Sequence, residues 1–189
     1  MTDNELICMT TQRLVLRRWK ESDAETFAAM NASPEVMRHY PATLSREESD
    51  EIIAKNERHF DEHGFGRWAV EIPNVAPFIG FVGIYIPAYE MNFSPCVEIG
   101  WRIAEAHWNK GYATEAAQAA MKFGMDRFEE VVSFTSPENK ASQRVMQKLG
   151  MSHDPKENFD HPLLPADHRL CCHVLYRMNR ERYAARKST

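Results

Sequence analysis

Between Glu98 and Ala116 the chain runs an apolar stretch, Glu98-Ile99-Gly100-Trp101-Arg102-Ile103, into His107-Trp108-Asn109-Lys110-Gly111-Tyr112-Ala113-Thr114-Glu115-Ala116. A strand handing over to a helix through a glycine bend leaves the first helical amides without internal partners. Together with the helix macrodipole, those amides favour an anion such as a phosphate. Gly111 lets a ligand approach the backbone, and Lys110 can add a point charge. The same pattern also serves as plain connection chemistry. Its spacing excludes two other phosphate binders. The second glycine and Gly-Lys-Ser/Thr ending of a Walker loop are absent, and Gly64-x-Gly66-x-x-Ala69 runs from helix into strand, the reverse of a dinucleotide fold.

A chain of 189 residues, 43% hydrophobic and 26% charged with a net charge of −4, is an ordinary globular composition and one domain is expected over 1–189. Disorder, collagen and coiled coil are excluded. The uncharged run Val75 to Tyr89 falls short of the roughly 18 residues a membrane helix needs. Met1 to Leu6 lacks the basic start and apolar stretch of a signal peptide, so a cytoplasmic protein without membrane partners is expected. Cys8, Cys96, Cys171 and Cys172 are too few and irregular for a disulfide scaffold and read as thiols. The basic cluster is confined to the tail 177–189, which reads as a solvated helix end, and nucleic acid is not an expected partner. His59 and His63 stand four apart without the zinc protease pattern and read as exposed. His161, His168, Cys171, Cys172 and His173 lack ligand spacing, so no metal is expected.

Along the chain, Leu14 to Leu16 suggests a strand. A helix follows, opened by a Ser22/Glu25 capping box and ended by Pro34, and a second helix runs from the Ser45/Glu48 box to Gly64. The apolar period then changes to two. Trp68, Val70 and Ile72 lead through the Pro73–Pro77 turn into Phe78–Ile86, an antiparallel hairpin. Cys96–Ile103 is a strand, about Gly111 to Phe123 a helix, Val131–Thr135 a strand, Asn139–Leu149 a helix capped by Gly150, and Cys172–Met178 a last strand. The loop Ser152–Arg169, with three prolines, is a candidate pocket wall. This order is an α+β mixed sheet with packed helices.

Trp108-Asn109-Lys110-Gly111-Tyr112-Ala113-Thr114-Glu115-Ala116, followed by Asn139-Lys140-Ala141-Ser142 and Lys148-Leu149-Gly150-Met151, resembles the GCN5-related N-acetyltransferase (GNAT) superfamily. It is most similar to the branch of ribosomal-protein N-terminal alanine and serine acetyltransferases. The likeness spans Arg13-Leu14-Val15-Leu16-Arg17 to Tyr176-Arg177-Met178. It implies a mostly antiparallel sheet of about six to seven strands, helices on both faces, and a splay between two central parallel strands. It also implies that Asn109, Lys110, Gly111, Tyr112, Ala113 and Thr114 cradle the pyrophosphate of acetyl-CoA, that Trp101 and Ile103 pair with its pantetheine arm, and that Asn139 and Ser142 contact it. Trp108 replaces the family's Arg/Gln and leaves the amide cradle intact.

By the same resemblance Glu98 matches an acidic position used as general base. A surface carboxylate is the plain alternative. The tyrosine that many relatives use as general acid, seven residues after the asparagine, is Met146 here. Ser142 resembles the serine proposed for the ribosomal branch, and Tyr176 is held in reserve. Phe159-Asp160-His161-Pro162 resembles a segment expected to shape the acceptor side. The expected function is acetyl transfer from acetyl-CoA to a primary amine, by branch a protein N-terminal amine. A small amine acceptor (amino acid, polyamine or antibiotic) and a noncatalytic acyl-CoA sensor are the alternatives, and the resemblance allows a homodimer.

Overall fold

A computed structural model describes residues 9–187. Met1–Leu6, Cys8 and the last two residues of the tail lie outside the described residues. The strands are β1 Met9–Thr10, β2 Val15–Arg17, β3 Arg67–Ile72, β4 Ala76–Tyr85, β5 Glu98–Ile103, β6 Glu130–Thr135, β7 Ser152–His153, β8 Phe159–Asp160 and β9 Cys172–Asn179. The helices are α1 Ala24–Ala32, α2 Pro34–Met37, α3 Arg46–His63, α4 Tyr112–Met125, α5 Lys140–Leu149 and α6 Arg180–Lys187. The sheet order is β1-β2-β3-β4-β5-β6-β9-β7, with β8 on β9. Six strands are longer than two residues, as expected, and β1, β7 and β8 add two-residue edges. Each pair is antiparallel except β5–β6.

Alternation along β4 decides which helix covers which face. Phe81 meets Phe27 of α1 edge-on at 6.0 Å. Ile84, of opposite parity, packs under α4, where Gly124 permits the approach: a β-carbon there would stand 3.2 Å from Ile84 Cδ1 and 3.0 Å from Val131 Cγ2. Trp68 and Phe123 extend this second layer, their rings 5.1 Å apart. The buried side chains of both layers form the main apolar core.

Helix α3 follows its sequence signals. Glu48 N–H donates to Ser45 Oγ at 3.1 Å, Ser45 N–H donates to Glu48 Oε2 at 2.7 Å, and Gly64 closes the helix with φ 74°. The first helix differs. Asp23, not Ser22, organises its start: Asp23 Oδ2 accepts from Lys20 N–H at 2.9 Å within a 3-10 turn, Glu21–Asp23. The same carboxylate takes the buried Arg17 guanidinium at 2.8 and 2.9 Å. A charge-assisted pair out of water outweighs a serine cap at the surface. Pro34 opens α2 as its first residue instead of merely ending α1, because a missing N–H costs nothing there. Among the described residues three α-helices therefore precede β3.

The loop after α5 carries β7, β8 and a 3-10 turn at Pro155–Glu157, and its His161, Leu163 and Leu164 line a cavity beside β5 and β6, the wall expected of it. The tail is the helix end the sequence suggested, α6, and its arginines are paired: Arg177 pairs with Glu130 at 2.6 Å and Glu157 at 2.9 Å, and Arg180 pairs with Glu129 at 2.7 Å. Arg182 donates to the Gly150 carbonyl at 2.6 Å, and Arg186 donates to those of Leu149 and Lys148. Cations here satisfy the orphan carbonyls and negative dipole end of α5. Among the described residues no helix is long and apolar enough to cross a membrane.

Candidate active site

The parallel strands β5 and β6 share one register pair, Glu98↔Val132, beside a Val132 N–H to Val97 carbonyl bond of 2.9 Å. Beyond it they splay. Gly100, Trp101 and Arg102 on one side and Ser133, Phe134 and Thr135 on the other line a cavity of about 350 Å³. The β4–β5 ladder fixes which amides face this gap. Ala104 N–H bonds the Ile79 carbonyl, so Trp101 and Ile103 occupy the alternate, non-bonded pairs with β4 and turn their backbone groups toward β6. The Ile103 carbonyl, pointing that way, accepts Trp108 Nε1–H at 2.6 Å.

At the top of the gap, Asn109 and Gly111 adopt left-handed φ of 58° and 83° and turn the chain into α4. Among the described residues no side chain caps this helix. The amides of Tyr112, Ala113 and Thr114 have no acceptor among the described residues, which leaves an open anion cradle. The Lys110 ammonium is directed to the Ala106 carbonyl at 2.8 Å. The charge beside the bend comes instead from Arg13. It donates to the Lys110 carbonyl at 3.0 Å and to Glu115 Oε2 at 2.7 Å, with its guanidinium 4.7 Å from the centre of the Tyr112 ring. Arg13 was not among the residues the sequence singled out for this bend; its basic character just before the Leu14–Leu16 strand was the available signal.

Helix α5 supplies the opposite wall. Asn139 Oδ1 accepts Ser142 N–H at 3.2 Å, and Asn139 Nδ2 donates to Thr135 Oγ1 at 2.9 Å. Ser142 Oγ accepts Trp101 Nε1–H at 3.2 Å across the splay. That bond leaves the serine's own proton free to donate. Met146, buried and without a hydroxyl, lines the cavity one turn further on.

Glu98 stands at the vertex of the splay, its side chain 14% exposed and 3.5 Å from Arg67. Burial raises its carboxyl above the usual range, and Arg67 offsets this only in part. Glu98, Trp101, Asn139 and Ser142 thus share one cavity. Tyr176 does not line it: the ring is buried, stacked on His153 at 4.9 Å, with Oη accepting from Gln147 at 3.4 Å.

The far wall of the cavity adds groups that spacing did not reveal. Tyr89, Tyr40, Arg102 and His173 line the cavity with His161. His161 Nδ1 accepts Leu163 N–H at 3.3 Å, so the neutral ring carries its proton on Nε2 and donates to Tyr89 Oη at 3.1 Å. Burial and nearby His173 push His161 down to about 4. Burial raises the Tyr89 hydroxyl, which stays protonated. His59, expected at the surface, is buried. Its Nδ1 bonds the Phe65 carbonyl at 2.8 Å and its Nε2 accepts Ile86 N–H at 3.1 Å, which makes it a satisfied core histidine.

A splayed parallel pair, an open helix N-terminus and a buried carboxylate between them define an acyl-CoA-dependent acyltransferase. Comparison with known proteins agrees. A family model described as "Acetyltransferase (GNAT) domain" matches residues 13–152, and the chain belongs to that family. YkkB of Bacillus subtilis, an uncharacterised protein, is 33% identical over 146 residues, covering 76% of this chain and 84% of YkkB. The crystal structure of a GNAT acetyltransferase from Bacillus anthracis superimposes with a TM-score of 0.75 at 24% identity, covering 93% of this chain and 99% of that one. RimL, described as a ribosomal L7/L12 alpha-N-protein acetyltransferase in complex with coenzyme A, shares the fold with a TM-score of 0.70 at 17% identity. The match covers 93% of this chain and 98% of RimL.

Proposed function

We propose that residues 1–189 form a single cytoplasmic N-acetyltransferase domain that moves acetyl from acetyl-CoA to the α-amine of a protein N-terminus by direct attack in a ternary complex. The observation that carries the transfer is the splay itself. It meets the anion cradle on the α4 side and a polar cavity on the α1 side, with Glu98 between. Acetyl-CoA supplies the thioester. The amides of Tyr112, Ala113 and Thr114, with Asn109, Lys110, Gly111 and Arg13, would hold its diphosphate, Trp101 and Ile103 its pantetheine arm, and Asn139 the turn between.

Glu98 would take the amine proton directly or through a water, and its raised proton affinity suits that task. An α-amine of pKa roughly 7.7–8.0 is about a tenth neutral at pH 7, so it asks less of the base than a lysine does. Ser142 would return a proton to the departing thiolate in place of the tyrosine that Met146 displaces. Likeness to RimL, a ribosomal L7/L12 alpha-N-protein acetyltransferase, supports the protein acceptor. The expected effect of Ser142→Ala is a kcat about a hundredfold lower with coenzyme A affinity nearly unchanged. Wild-type turnover would remove the serine from the chemistry. A screen of N-terminal peptides against amino acids, polyamines and aminoglycosides, read by acetyl mass shift, tests the acceptor. Acetylation confined to small amines would overturn the N-terminal reading, and coenzyme A binding without any acetylated product would favour a sensor.

A further inference from the structure

Two arginines of this chain are equally buried and differently satisfied. Arg17, 8% exposed, donates to Asp23, Glu71 and the carbonyls of Arg18 and Pro77. Arg102, 9% exposed, has no ion pair among the described residues, although it lines the cavity. Its Nη1 donates to Asn31 Oδ1. Asn31, fully buried, is fixed in turn through Nδ2 to Ser49 Oγ at 3.0 Å. The guanidinium lies over the Tyr40 ring at 4.1 Å with Phe81 at 5.4 Å. Among the described residues, Nε is buried without a partner, and Nη2 makes no hydrogen bond. These two nitrogens form one edge of the guanidinium, the edge that grips a carboxylate through two parallel bonds.

Leaving a buried cation unpaired is costly, and an incoming anion relieves the cost. The diphosphate cradle cannot supply that anion. Arg102 projects with Phe81 toward α1, whereas α4 packs on the other face of the sheet. We propose that Arg102 receives a carboxylate carried by the amine acceptor, and that this enzyme selects amines bearing an acidic group several bonds from the nitrogen. The inference rests on the reading of this cavity as the acceptor site. Glu98 and Arg102 project to the same face of β5 four residues apart, about 13 Å between Cα atoms in an extended strand. An α-amino acid holds its carboxylate too close to the amine to reach both ends. An acidic side chain shortly after a protein N-terminus, or a free ω-amino acid, spans the interval.

Matched acceptors test this. One pair is a peptide with glutamate at its second or third position and its glutamine counterpart; the other is 6-aminohexanoate and its amide. The wild type is expected to favour the acid of at least one pair by about 10- to 100-fold in kcat/KM. Arg102→Met is expected to bring that ratio near one, and Arg102→Lys to leave it intermediate. Preference within the peptide pair alone points to a protein acceptor, and within the other pair alone to a small one. Equal kcat/KM for acid and amide, or a ratio that survives in Arg102→Met, overturns the proposal. Calorimetry of the same compounds on the coenzyme A-loaded enzyme reads the preference as affinity. Arg102-dependent binding of the acids without turnover would sink the catalytic reading alone, and binding without preference would sink the carboxylate site.

Discussion

Replacing Glu98 by glutamine is expected to lower kcat about a hundredfold or more, the range for loss of a positioned general base. The substitution keeps the side chain's shape and an oxygen for Arg67, 3.5 Å away, so the fold should survive. The pH profile carries the sharper test. A base works ionised, and burial raises the Glu98 carboxyl; activity should therefore fall on acidification at a higher pH than an ordinary carboxylate would give. In Glu98→Gln that limb disappears, and only the rise from titration of the acceptor amine remains, near 7.7–8.0 for an α-amine. A glutamine variant that retains the carboxylate limb would assign the base elsewhere.

Gly83→Ala is expected to have a large effect on stability. A β-carbon at Gly83 would overlap the Gly66 carbonyl oxygen and stand 2.5 Å from Arg67 Cα. Both obstacles are backbone, at the residue before β3 and at its first residue, held by the Ile84 N–H to Gly66 carbonyl bond at 3.1 Å, so no side chain can swing aside. The ladder must open where Arg67 reaches Glu98. Overpacking of this kind costs about 3 kcal/mol, and at roughly 2–4 °C per kcal/mol for a chain of this size the midpoint should drop by about 10 °C in a thermal melt. An unchanged melting curve would mean that β3 and β4 are not locked in this register.

What could be read beforehand was governed by local rules. The Ser45/Glu48 box, the Gly64 and Gly150 caps, the period-two hairpin and the Gly111 bend all depend on residues a few positions apart, and each recurs in the structure. The start of the first helix was misread because Asp23 answers to Arg17 and, through it, to Glu71 on another strand, a long-range pairing that spacing does not encode. His59 was taken as exposed for the same reason: its partners Phe65 and Ile86 belong to the helix-to-strand junction and the end of β4. Of the site, the glycine bend and the unpartnered amides after it were legible because a glycine bend before a helix has a fixed chemistry. The far wall of the cavity was not. Tyr89, Tyr40, His161 and Arg102 come from four distant segments, and only sheet topology brings them to one cavity.

The account stands on the amides of the Gly111 bend and the splay beneath it holding coenzyme A. Calorimetric titration of coenzyme A into the wild type and into Gly111→Val tests this directly. At φ 83° a valine is strained, and its β-carbon would come within 3.3 Å of Arg13 Nη2. One equivalent should bind the wild type saturably, and the variant, with its circular dichroism spectrum intact, should bind at least about tenfold more weakly. Absence of binding to the wild type, or equal affinity in the two chains, would contradict it.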